Sequence, residues 1–168
     1  MDDRVKVRTQ DFEPVSVDNR DGAGSFIVVC DHASNQMPRE FGGLGLGAAD
    51  LGRHIAFDPG ALGVAMRMAS NLHSPLVHSN ASRLLIDCNR PLDAPDLIAE
   101  VSEIYEVPGN KGLTTAQKAE RIERFYQPFH SAIEAVVLPR LRAGVQPGFI
   151  AVHSFNPVYR GVQRPWEI

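Results

Sequence analysis

Apolar residues come in short unbroken runs along this chain rather than in strict alternation. Phe26-Ile27-Val28-Val29-Cys30 follows the turn signal Asp21-Gly22-Ala23-Gly24. The run is short and β-branched, which predicts a strand buried on both faces. Pro75-Leu76-Val77-His78, Leu84-Leu85-Ile86-Asp87-Cys88 and Phe149-Ile150-Ala151-Val152-His153 predict three more strands. Behind Asp58-Pro59-Gly60, apolar residues recur at helical spacing: Ala61, Leu62, Ala65, Met68, Ala69 and Leu72. That predicts a helix with Asp58 as N-cap and Pro59 at its first position. Thr114 and Gln117 have the spacing of a capping box, and a helical region should run from there to about residue 143. Pro128 should kink or divide it. Residues 1–24 read as a polar N-terminal extension, and 31–50 and 91–113 as loops. Strands alternating with helices predict an α/β sheet, mostly parallel, in a single domain spanning 1–168.

Composition narrows the function classes. Of 168 residues, 43% are hydrophobic, so the chain can build a sizeable core. The formal net charge of −3 argues against a nucleic-acid footprint, which needs a basic face. Cys30 and Cys88 sit inside apolar stretches and read as buried reduced thiols. The opening MDDRVKVRTQDFEPV has no apolar centre, so no signal peptide is visible. No apolar run nears the roughly 18 residues that span a bilayer. A cytoplasmic protein with no membrane partner is the default expectation, and oligomeric state stays open. Arg164-Pro165-Trp166-Glu167-Ile168 has neither a polar tail nor a helix stop, which reads as a polypeptide that continues.

Three of the predicted strands run directly into polar residues: Asp31-His32-Ala33-Ser34-Asn35, Asp87-Cys88-Asn89-Arg90 and His153-Ser154-Phe155-Asn156. In an open α/β sheet the ligand site lies beyond the carboxyl ends of the strands, so parallel strands would bring these clusters together. His32 and His153 are candidate metal ligands, because two imidazoles and one oxygen ligand suit zinc and leave a position for water. The third ligand is either Asn35, three residues after His32, or Asp58, whose charge makes it the better donor. Arg83 and the pair Asn89-Arg90 bracket one strand. An arginine beside an asparagine can hold a carboxylate, and a second arginine can stabilise an oxyanion. Structural ion pairs with Asp87 or Asp58 remain the plainer alternative for both arginines. His54 precedes the Asp58 helix and reads as a supporting group. His78 and His130 read as satisfied polar contacts. Ser154 offers a hydroxyl to a substrate, but no serine stands in a Gly-x-Ser-x-Gly elbow.

Val29-Cys30-Asp31-His32-Ala33-Ser34-Asn35-Gln36-Met37-Pro38 resembles the opening motif of the N-formylglutamate amidohydrolase family. His54-Ile55-Ala56-Phe57-Asp58-Pro59-Gly60-Ala61 and Asn80-Ala81-Ser82-Arg83-Leu84-Leu85-Ile86-Asp87-Cys88-Asn89-Arg90-Pro91 resemble its next two, the latter being the most specific. Pro108-Gly109-Asn110, the Arg121–His130 helix and His153-Ser154-Phe155 follow in family order. The resemblance covers about residues 25–168. It implies a three-layer α/β/α fold of the phosphorylase/hydrolase type, similar to zinc exopeptidases and aspartoacylases, with a C-terminal part missing. It implies Zn2+ or another divalent metal on His32 and His153. Arg83 matches a carbonyl-polarising position and Asn89-Arg90 a carboxylate-binding pair. The implied reaction is hydrolysis of an N-formyl amide on a small acidic amino acid, as in histidine degradation. Related deacylation of another substrate, or carboxylate binding without catalysis, are the alternatives. Asn35 stands where related exopeptidases have a glutamate ligand, and their late glutamate base has no counterpart before Ile168. Were a base inside the chain, Glu100, Glu103 and Asp87 would be the candidates.

Overall fold

A computed structural model of the chain describes residues 12–159 and 161–165. The first eleven residues of the polar extension, and residues 166–168 of the C-terminal ending, lie outside the described residues. In chain order the strands are β1 (Val15–Asp18), β2 (Phe26–Cys30), β3 (Leu76–Ser79), β4 (Val101–Ser102), β5 (Tyr105–Glu106), β6 (Gly148–Ala151), β7 (Val158–Tyr159) and β8 (Val162–Gln163). The α-helices are α1 (Ala48–Leu51), α2 (Ala61–Asn71), α3 (Thr115–Arg121) and α4 (Gln127–Arg142).

Four strands form the main sheet in the order β1-β3-β2-β6. β2 pairs parallel with both β3 and β6, placing Val28 opposite Leu76 on one side and Ile150 on the other. β1 runs antiparallel to β3 and lies within the stretch expected to be a polar extension. The sheet is therefore mixed, as expected, with its parallel core in the centre. Period-two alternation sends Val28, Cys30 and Leu76 to one face, where Ala61, Ala65 and Ala69 of α2 cover them. Ile27, Val29 and Val77 face the other way, against Phe129 and Val136 of α4. The small alanines let α2 approach closely, and the result is the expected three-layer α/β/α arrangement. No helix among the described residues is long and apolar enough to cross a membrane.

Three local expectations change. First, α2 starts at Ala61, and Asp58 makes no capping bond. Gly60, in the left-handed region at φ 83°, precedes the helix instead. The Asp58 carboxylate is buried and turns to charged partners, which stabilise it more than a cap would. Second, Pro128 does not break the 114–143 region. The helix widens into a π turn over Ile122–Tyr126, with the Gln127 N–H reaching the Ile122 carbonyl, and Pro128 then fits the first turn of α4. The capping box of Thr114 and Gln117 is formed at the other end.

Third, Leu84–Cys88 is not a strand. Leu84, Leu85 and Ile86 are buried in a separate cluster with Ala56, Leu97, Ile98, Val107 and Phe125, while Cys88 packs under α4 with Phe129 and Val136. Its carbonyls find side chains rather than a neighbouring strand. Asn110 Nδ2 donates to the Leu84 carbonyl at 2.9 Å, and Arg121 Nη1 donates to that of Leu85 at 2.9 Å. The His130 ring donates to the Cys88 carbonyl at 3.2 Å, and Tyr126 Oη to that of Arg90 at 3.0 Å. Side chains that satisfy buried carbonyls replace a sheet ladder here. The loop expected at 91–113 likewise contains the small β4–β5 hairpin.

Candidate active site

β2 and β6 are adjacent and parallel, so the residues that follow them emerge side by side. His32 and His153 meet there with ring centroids 5.2 Å apart. The Asp58 N–H donates to the His32 carbonyl at 2.9 Å, which ties the start of the α2 region to the same end of the sheet. Arg83 and Asp87 arrive from the irregular segment. The Arg83 N–H and the Ser82 hydroxyl both donate to the Ala56 carbonyl, at 3.2 and 2.8 Å, fixing that segment against the Asp58 loop.

Asp31, His32, Asp58 and Asp87 are all buried. His32 Nε2 lies 2.7 Å from Asp87 Oδ1. An ionised carboxylate only accepts, so Nε2 carries the proton of this bond. His32 Nδ1 lies 3.5 Å from Asp58 Oδ2, a charge contact too long for a good hydrogen bond. Asp58 Oδ2 accepts the Ser154 N–H at 3.1 Å and lies 3.2 Å from His153 Nδ1. Arg83 Nη2 donates to Asp87 Oδ2 at 2.7 Å, and its Nη1 is 3.5 Å from Asp58 Oδ1. Asp87 Oδ1 also accepts the Asn89 N–H at 2.9 Å.

These contacts set the charges. Burial works to lower the His32 pKa, but Asp58 and Asp87 outweigh it and raise it to about 9. Burial alone would raise Asp58, yet His153 and His32 pull it well below the usual carboxylate range. Asp87 is lowered in the same way by His32 and Arg83. Contact with Asp58 raises His153. Both thiols are buried and free, and burial with neighbouring carboxylates pushes Cys30 up to about 12, so neither is a nucleophile.

Two buried polar atoms in the cluster have no hydrogen-bond partner: Asp31 Oδ1 and His32 Nδ1. Asp31 Oδ1 is 3.4 Å from His153 Nδ1 and 3.9 Å from His32 Nδ1. Asp31, His32 and His153 each offer one ligand atom within 4.8 Å of the others. Asp31 is the residue that sequence reasoning missed. The signal in the sequence is its place directly after β2 and before His32, which the more familiar three-residue spacing from His32 to Asn35 obscures. The structure does not bring Asn35 into the group. Its Nδ2 donates to the Leu51 carbonyl at 2.9 Å and its Oδ1 accepts from Gln36.

A polar cavity of about 360 Å³ opens beside the cluster, lined by Asp58, Arg83, Asp87, Arg90 and Ser154 among others. Arg90 reaches it from the rim, where its Nε donates to Asp96 at 2.8 Å. Asn89 contributes its backbone N–H to Asp87, while its side chain is exposed and does not line the cavity.

Comparison with known proteins follows the same lines. The gene product Atu2144 from Agrobacterium tumefaciens has a structure similar to this chain, with 40% identity and a TM-score of 0.88, over 91% of this chain and 61% of that one. The N-formylglutamate amidohydrolase from Ralstonia eutropha JMP134 shares the fold at 23% identity and a TM-score of 0.66, over 92% and 63%. The chain thus spans about three-fifths of the length of these two proteins. No curated protein sequence matches it. Residues 24–166 match the N-formylglutamate amidohydrolase family, and the chain belongs to that family.

Proposed function

We propose that this chain carries the metal-binding and substrate-anchoring machinery of a hydrolase that cleaves the N-formyl amide of a small acidic amino acid such as N-formylglutamate. The observation that carries the metal part is the pair of orphaned buried atoms, Asp31 Oδ1 and His32 Nδ1, beside His153. Asp31, Asp58 and Asp87 are buried together, and Arg83 touches only the last two. Among the described residues Asp31 has no guanidinium partner and a buried oxygen without a hydrogen bond, so its charge calls for a cation. Two imidazoles and a carboxylate are a fitting donor set for zinc or a similar divalent ion. Asp87 holds the Nε2 proton of His32, which leaves Nδ1 as the ligand atom, the usual support for a metal-bound histidine.

A divalent ion bound here would supply a Lewis acid that acidifies water and polarises the amide carbonyl. The remaining work falls to side chains on the cavity wall. Arg83 is held by Asp58 and Asp87 with a quarter of its side chain exposed, placed to donate to the developing oxyanion. Arg90 pairs with Asp96 on an exposed rim, where ion pairs contribute little, so a substrate carboxylate can take the place of Asp96. Asp58 receives the Ser154 N–H and the His153 ring, which fixes the loop after β6. Family membership supports this substrate class.

The test is metal content and turnover of N-formyl-L-glutamate by the full-length protein. Asp31→Ala, His32→Ala and His153→Ala should each lose stoichiometric metal and activity, while Asn35→Ala keeps its metal. Retention of full metal affinity by His32→Ala would end the assignment.

A further inference from the structure

We propose, resting on the reading above, that Glu103 is the specificity residue for the nitrogen end of the scissile amide: it accepts the substrate N–H, oriented by His54. Both residues line the same cavity as Arg83 and Asp87. Glu103 Oε1 is 3.0 Å from His54 Nε2, a charge contact without hydrogen-bond alignment that leaves the buried His54 Nε2 without a hydrogen-bond partner among the described residues, and their side chains are only 20% and 31% exposed.

The hairpin that presents Glu103 has a two-residue loop, whose first position takes a positive φ and ordinarily favours glycine. Glu103 sits between β4 and β5 at φ 57°, a conformation non-glycine residues rarely adopt. Its neighbour Ile104 is 75% exposed. The tip thus turns its carboxylate inward to the cavity and its apolar residue outward to water. A largely buried carboxylate and a non-glycine residue at positive φ both cost stability, and such costs concentrate at functional positions. The hairpin is also anchored rather than loose. The Val107 N–H closes its base on the Glu100 carbonyl at 2.9 Å, and the Arg53 guanidinium lies 5.4 Å over the Tyr105 ring. Arg53 precedes His54, so that contact joins the hairpin to the segment that carries its partner.

Charge complementarity selects the role. An N-acyl acidic amino acid offers carboxylates and a carbonyl oxygen, all acceptors, and one donor, the amide N–H. Arg83 and Arg90 on the wall suit the acceptors. Among the lining carboxylates, Asp58 and Asp87 serve His32, His153 and Arg83, and Asp96 stands on the rim with 54% of its side chain exposed, where water screens its charge. Glu103 is only 20% exposed and faces a single imidazole among the ion pairs described, so it is the lining carboxylate best suited to the one donor. After cleavage the same nitrogen becomes an ammonium, which a carboxylate also suits.

The test compares N-formyl-L-glutamate with its ester analogue, O-formyl-2-hydroxyglutarate, which lacks the N–H. In the full-length protein Glu103→Ala should lower kcat/KM for the amide by roughly 10- to 100-fold and leave the ester nearly unchanged. Glu103→Gln, which keeps an acceptor oxygen, should recover part of the loss, and His54→Ala should show a smaller loss of the same selectivity. Ester turnover by the same preparation serves as the control for folding. Equal losses on both substrates, or none on either, overturn the assignment while leaving the hydrolase reading intact. A wild-type protein that cleaves neither substrate overturns both.

Discussion

His32 donates to Asp87 across 55 positions of sequence, at 2.7 Å between buried atoms. The bond fixes which imidazole nitrogen faces Asp31 and His153. Asp87→Asn keeps the shape but removes the charge that holds the Nε2 proton and half of Arg83's anchorage. Metal affinity should fall by about 10- to 100-fold, the usual scale for losing such a support. Competition with a chromophoric chelator measures it. An unchanged affinity would mean that Asp87 only balances charge.

The same cluster gives the metal-free protein a defined pH profile. The His32 pKa rises from 6.5 to about 9 on folding, so its contribution to stability is complete below 6.5 and is lost as pH rises through about 9. Asp58 and Asp87 are lowered from 3.8, so their contribution is present above 3.8 and is lost as pH falls toward their folded values. Metal-free protein should therefore be most stable between about pH 4 and 6.5 and weaken from pH 7 to 9. Urea titrations in a chelator across that range test the slope. His32→Asn should flatten its alkaline arm.

Asn110 and Arg121 together hold the segment that places Arg83 and Asp87. Asn110 Nδ2 donates to the carbonyls of Leu84 and Ala99, and Asn110 Oδ1 accepts from Arg121 at 2.7 Å. Asn110→Ala leaves these buried groups unpaired, at about 1–3 kcal/mol for each one left unsatisfied. We expect a lowered urea midpoint with the transition slope kept. Metal affinity should fall as well, because the Asp87 position depends on this segment.

This segment marks where the sequence was legible and where it was not. β2, β3 and β6 were visible because each is a short β-branched run whose neighbours are other such runs. Leu84-Leu85-Ile86 has the same composition and burial but no strand beside it. What satisfies the carbonyls of Leu84, Leu85, Cys88 and Arg90 comes from Asn110, Arg121, His130 and Tyr126, 26 to 42 residues away, and no local pattern announces that. His32 and His153 stood out because strands end at both. Asp31 did not, since an acid beside a histidine looks like ordinary loop polarity until an unpartnered oxygen appears. Asp58 was legible as a helix cap, as the better third metal ligand and as an ion-pair partner of the arginines, and tertiary contact shows its carboxylate against two imidazoles and a guanidinium rather than capping α2.

Arg90 and Arg83 should separate kinetically, because one sits at the rim and the other beside the cluster. Losing a binding contact shared by ground and transition states raises KM with kcat nearly unchanged. Losing a contact made mainly in the transition state lowers kcat. Arg90→Ala in the full-length protein should therefore mostly raise KM for N-formylglutamate. Arg90→Lys should restore it only in part, since a point charge lacks the planar fork that grips a carboxylate. Arg83→Ala should mostly lower kcat, by about 100-fold, the scale of one oxyanion donor. Arg83 also faces two buried carboxylates, so this variant will lose stability too, whereas the exposed Arg90–Asp96 pair predicts almost no change in melting temperature. A purely structural Arg83 would give a lowered melting temperature with normal kcat in the protein that remains folded. Melting curves and steady-state kinetics on the same preparations decide between the two, and a normal kcat would remove Arg83 from the reaction.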